Sequence, residues 1–180
     1  MRHPFEMIPA ALRGEIWLAL TGTTVLLLAI LGFLYGPLKN AVASQGMVSL
    51  ELSGTPERLN QILASWNEKI RMRVAFTLGL NFLCLCALTN TLALSCVLAG
   101  DAIGGRIAAA GNLLAWGQWV AAGCWAVQNT ILVCGVLGHA TKSGLSLASS
   151  LAILKFTLVG VGLLFAVLAG IGAAVSLPAR

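Results

Sequence analysis

Four stretches of this chain, residues 16–35, 74–99, 107–137 and 147–175, are almost purely apolar. A helix rises 1.5 Å per residue and the hydrocarbon core of a bilayer is about 30 Å thick, so about 20 apolar residues cross it once. Within lipid every backbone amide and carbonyl must be paired inside the chain, which a helix achieves alone. The stretches therefore predict four transmembrane helices. Composition agrees, with 58% hydrophobic and 9% charged residues, where a soluble domain carries about 25% charge. The expectation is an all-α integral membrane four-helix bundle, a single membrane domain over residues 1–180. An amphipathic interfacial helix at about 56–70 would occupy its first loop.

Glu15 directly precedes the first stretch and no convincing small-residue cleavage site follows it, so it reads as a retained span, with the mature chain starting at Met1. In residues 1–15, Pro4 and Pro9 break up any long helix. Phe5, Met7, Ile8 and Leu12 are expected in the lipid headgroup region, and a docking arm for a partner subunit is the sharper alternative. The turns at 100–105 and 138–144 are short, so the helices they join should be antiparallel neighbours. The net charge of +5 sits mostly at helix ends and in the first loop, which points to anionic lipid headgroups and gives nucleic acid no weight. Loops one and three carry Lys39, Arg58, Lys69, Arg71, Arg73 and Lys142, against Arg2, Arg13, Arg106 and Arg180 on the other side. The positive-inside rule then places loop one in the cytoplasm, and the compact form suggests a bacterial inner membrane.

Gly36-Pro37 ends the first span, because proline cannot donate the next helical hydrogen bond. A loop as long as 36–73 usually carries structure of its own. Residues 48–52 (VSLEL) alternate like a short strand, and Ser53-Gly54 reads as a turn. Thr55-Pro56-Glu57 starts a helix: the threonine caps free amides, the proline suits the first helical position and the glutamate faces the positive dipole end. Leu59, Ile62, Leu63, Trp66 and Ile70 follow at helical spacing. Such a helix lies on the bilayer with Trp66 at headgroup depth, and Lys69, Arg71 and Arg73 mark the membrane boundary.

Polar residues inside spans are costly and are the first place to look for function. Asn81, Gln118, Gln128 and Asn129, with Trp125, form the candidate buried polar cluster. Gln118 and Asn129 are eleven residues apart and share a helix face. Amides meeting between antiparallel helices, Asn81 with Asn129 or Gln128, serve packing more often than ligand binding. Lys155 is the one charge inside a span and is expected to snorkel toward loop three. Gly162, Ala166, Gly170 and Ala174 make a small-residue stripe that suits close helix packing. The five cysteines form no Cys-x-x-Cys pair and read as packing or lipid-facing thiols. His3 and His139 fall on opposite sides and cannot jointly ligate one haem. No cofactor is expected; a bound lipid or a pigment is the remaining option, and a pigment on His139 or a buried amide has no positive support.

The run Ser53-Gly54-Thr55-Pro56-Glu57-Arg58, then Ile62-Leu63 and Trp66, resembles a group of small uncharacterised bacterial membrane proteins with four spans, over roughly residues 53–135. In that group a Thr/Ser-Pro-Glu helix ends near a tryptophan before span two, span two carries an acid, and span three a Glu-Asn pair. The corresponding positions here are Asn81 and Gln128-Asn129. Amides keep hydrogen-bonding shape and lose charge, so the resemblance does not carry any ion or proton chemistry to this chain, and it supplies no activity. The expected function is a non-enzymatic accessory or structural subunit of a larger membrane complex, with the lipid bilayer and other membrane subunits as partners. The alternative is a small transporter or binder of a lipid-like or apolar molecule, with its pocket between spans two and three. An enzyme would need a nucleophile-base or metal set that these residues do not assemble.

Overall fold

The computed structural model describes residues 3–176. Arg2 and Arg180, counted above for sidedness, lie outside them. Among the described residues there is no strand. The helices are α1 (Ala10–Tyr35), α2 (Met47–Glu51), α3 (Pro56–Ala64), α4 (Glu68–Ile103), α5 (Gly105–Val136) and α6 (Lys142–Ser176), with short 3-10 turns at Pro4–Met7 and Gly36–Leu38. Four of them, α1, α4, α5 and α6, are long and apolar enough to cross a membrane, and the protein is an all-α helical bundle. Helix α4 has 36 residues, about 54 Å of axis. It outruns a bilayer core and carries Glu68, Lys69, Arg71 and Arg73 at one end and Asp101 at the other.

The described residues pack as two compact units, one of 3–24, 86–122 and 155–176, the other of 25–85 and 123–154. In the first, α4 and α5 approach closely. A Cβ on Gly111 would collide with the Cys96 carbonyl oxygen, and one on Gly100 would stand 3.1 Å from the Ala108 Cα. Only glycine permits this approach, and Ala93, Cys96, Val97 and Ala115 are buried around it. Helix α1 is fastened by polar side chains: Trp17 Nε1 donates to Ser95 Oγ at 2.7 Å, the Thr24 and Thr91 hydroxyls pair at 2.9 Å, and Arg13 meets Asp101 at 2.9 Å.

In the second unit the first loop folds into a cap. Asn40 organises its start: Oδ1 accepts the Val42 and Ala43 amides, and Nδ2 donates to Ser65 Oγ at 2.9 Å. Residues 48–52 are not a strand. They belong to α2, where Met47, Leu50 and Glu51 are buried at helical spacing while Leu52 is exposed. Gly46, with φ +59°, turns the chain into that helix. Thr55 caps α3 as expected, its Oγ1 accepting the Arg58 amide at 3.2 Å.

The helix expected over 56–70 is broken, however. Ser65 Oγ donates to the Ile62 carbonyl and Asn67 Oδ1 accepts the Ile70 amide, local bonds that end one helix and start the next. The break turns Trp66 inward. Its side chain is 1% exposed and its Nε1 donates to the Leu38 carbonyl at 3.0 Å. Leu59, Ile62 and Trp66 join Leu38, Met47, Leu50, Val74, Leu78, Leu132 and Leu145 in one core. The apolar face of α3 therefore rests on protein and not on lipid, as Leu59, Ile62 and Trp66 are buried in this core. Lys69 and Arg71 remain exposed.

Candidate functional site

The polar residues singled out from the sequence are distributed over both units. In the second, Tyr35 Oη donates to Asn81 Oδ1 at 2.9 Å, and Asn129 Nδ2 donates to the Leu78 carbonyl at 2.6 Å. Asn129 thus meets the α4 backbone one turn from Asn81, which corrects the expected amide-to-amide pairing. Asn81, Gln128 and Asn129 are all essentially inaccessible, whereas Trp125 is half-buried. Asn81 Nδ2 and both polar atoms of Gln128 have no hydrogen-bond partner. In the first unit Gln118 Nε2 donates to the Leu158 carbonyl at 2.9 Å, and its side chain fills the space a Cβ on Gly162 would need. The arrangement crosslinks helices through backbone carbonyls, as structural amides do.

Lys155 is 2% exposed, with Nζ 4.7 Å from the centre of the Phe156 ring. It does not reach out toward loop three as expected; its Nζ lies over the Phe156 ring, a cation–π contact. The small-residue stripe also divides. Gly162 is internal and its carbonyl accepts from Cys96 Sγ, Ala166 is half-buried, and Gly170 and Ala174 are exposed. Successive residues turn by about 100°, so a row spaced by four rotates about 40° per step and Ala174 points about 120° away from Gly162. The internal glycine seam is the one between α4 and α5.

Ala166 and Gly170 of that stripe line a groove of the first unit, with a volume of 480 Å³. Trp17 of α1, Ser95, Ala99 and Ala102 of α4, and Ala166 and Gly170 of α6 are among its walls. Between Leu92 and Ala102, and between Leu163 and Ala173, it runs about 15 Å along the helices. Its polar atoms are already engaged, since Ser95 Oγ accepts from Trp17 and donates to the Thr91 carbonyl at 2.8 Å. A second cavity, of 610 Å³, lies on the cap around Ala41, Val42, Arg58, Gln61, Ala64 and Ser65. Neither is lined by Asn81, Gln118, Trp125, Gln128 or Asn129, so neither is the pocket expected between spans two and three.

The sequence reading missed His3. It is fully buried, with ring centroids 4.6 Å from Trp119, 5.1 Å from Trp116 and 5.0 Å from Phe5. Burial pushes its pKa below the ordinary histidine value, with Glu6 opposing in part. The surroundings of this residue come from α5, so the signal was the aromatic pair Trp116 and Trp119 beside Asn112, three positions on one helix face. His139, in contrast, is exposed in loop three. Among the described residues no group of three or more His, Cys, Asp or Glu side chains is placed to hold a metal ion. The five cysteines are not paired in disulfides, and Cys84 and Cys96 are buried.

Comparison with known proteins finds no matching family model, no matching curated protein and no matching solved structure.

Proposed function

We propose that this protein is a non-enzymatic accessory subunit of a larger membrane complex, and that a partner's transmembrane helix seats on the groove of the first unit. The groove carries the reading. It is open, apolar and floored by Ala99, Ala102, Ala166 and Gly170, and small residues let helix backbones approach in lipid, where packing drives association. Its hydroxyl and indole groups are paired internally, so a partner needs to satisfy none of them.

Gly170 supplies the test, because a Cβ there meets no atom within 4 Å. Gly170→Leu therefore adds a side chain to the groove whose first atom meets open space. The variant should fold, as judged by its melting temperature in detergent, and should lose the copurifying partner. Undiminished copurification contradicts the reading.

The groove's apolar lining also suits one other occupant, the acyl chain of a lipid, since Leu92, Leu98, Leu163 and Val167 line it beside the small residues. Lipid extracted from the purified protein, and lost in Gly170→Leu, would favour the acyl chain.

A further inference from the structure

The segment ahead of α1 turns inward at its start, where His3 is buried, while Met7 is exposed. Arg13 holds a turn in it: Nε donates to the Ile8 carbonyl at 2.8 Å and a terminal nitrogen to the Glu6 carbonyl at 2.7 Å, while the other pairs with Asp101. Before that turn the chain runs along α5. Glu6 accepts a hydrogen bond from the Asn112 amide, and His3 reaches Trp116 and Trp119. Those residues lie about 16 and 21 Å along the helix from Gly105. Phe5 packs against the buried cluster that also meets Phe165 and Ala166.

His3 is seated in a way that suits only its neutral form. Nδ1 accepts the Phe5 amide at 3.2 Å, so the ring proton is on Nε2, which has no hydrogen-bond partner and is walled by aromatic rings. The second proton of an imidazolium would have to go onto Nδ1. There it would face the Phe5 N–H, donor against donor, and the new charge would be buried. Released into water, the imidazolium hydrates freely. We propose that the segment His3–Met7 is a plug released by protonation, docked against α5 while His3 is neutral and freed when His3 takes up a proton.

The charges around it do not reverse this balance. Glu6 is the one acid of the segment and favours the imidazolium, more weakly than burial disfavours it. Arg13 on α1 and Asp101 on α4 neutralise each other. Helix α5 presents Asn112, Trp116 and Trp119, and α4 presents Asn90, bonded to Trp119, and the Cys96 thiol, bonded to the Gly162 carbonyl. On α6, Lys155 lies over Phe156. The attraction of the aromatic faces for a cation is weaker than the cost of burying its charge.

The direction of the pH effect follows from linkage. The docked pKa lies below the ordinary 6.5, so docking is fully present above that value and weakens as pH falls through it. Between pH 8 and pH 5 the docked-to-released ratio falls by up to about 30-fold.

Hydrogen exchange read by mass spectrometry on the peptide covering residues 3–12, with the protein in lipid nanodiscs and exchange times scaled for intrinsic pH dependence, tests this. Protection of the Phe5, Glu6 and Ile8 amides should drop at pH 5, by up to about 30-fold. His3→Phe, which keeps a ring and cannot titrate, should stay protected at both values. Equal protection of the wild type at pH 8 and pH 5, or an equal drop in His3→Phe, overturns the proposal. If His3→Phe does not dock, Glu6→Gln decides: the drop must persist in it, and its disappearance there assigns the effect to Glu6 and overturns the role of His3.

Discussion

Replacing Trp66 distinguishes a folded cap from a helix lying on lipid. The indole is 1% exposed, belongs to the core with Leu38, Leu59, Ile62 and Val74, and donates to the Leu38 carbonyl at 3.0 Å. Truncating a buried tryptophan to alanine costs about 3–5 kcal/mol through lost burial and the cavity left behind. Trp66→Phe retains most of the apolar contact and removes only the N–H, leaving a buried carbonyl without that partner, at about 1–3 kcal/mol. A tryptophan at headgroup depth would behave as a surface residue, with a change within about 0.5 kcal/mol. Reversible unfolding by increasing SDS mole fraction in mixed micelles, followed by circular dichroism, measures all three proteins. A loss below about 1 kcal/mol for Trp66→Ala, or equal losses for the two variants, would refute the argument that Trp66 anchors the cap.

Gly111→Leu should cost at least the 1–3 kcal/mol typical of an overpacked core, because the Cys96 carbonyl occupies the space of its Cβ; a melting temperature in detergent equal to wild type would dismiss the close α4–α5 approach. Asn129→Leu removes the bond to the Leu78 carbonyl and should destabilise by about 0.6 kcal/mol, with about 1.7 as the upper bound for such bonds in membranes, measured by the same SDS titration. Thr55→Ala deletes the cap on the Arg58 amide and should cost about 1 kcal/mol, whereas Thr55→Ser should be close to neutral; equal losses would mean that the hydroxyl does not cap α3.

The four spans were legible because bilayer thickness sets helix length and lipid permits no unpaired backbone, so apolar run length alone announces them. The start of α3 was legible for a similarly local reason, since Thr55-Pro56-Glu57 acts within one turn. What failed needed information from distant residues. Periodicity carried the helix of Leu59, Ile62 and Trp66 through to Ile70, but Ser65 and Asn67 offer competing side-chain bonds and Leu38 supplies an acceptor for the indole. The small-residue stripe on α6 winds around the helix at a spacing of four, so Gly162 is internal while Gly170 and Ala174 are exposed. Gly100 and Gly111, which line the actual close approach, share no period within one helix. The lead that carries His3 was expected among the lipid headgroups, because nothing within it reveals that Trp116, Trp119 and Asn112 receive its start.

If the groove beside Gly170 seats a partner subunit, the mass of the native particle reports it. The protein, tagged and expressed at its natural level, would be taken from its own membranes in a mild detergent and weighed intact by native mass spectrometry. A stoichiometric complex of this chain with another membrane protein, dissociated by Gly170→Leu, is the predicted result. A particle of 18.7 kDa, alone or with bound lipid only, would contradict it.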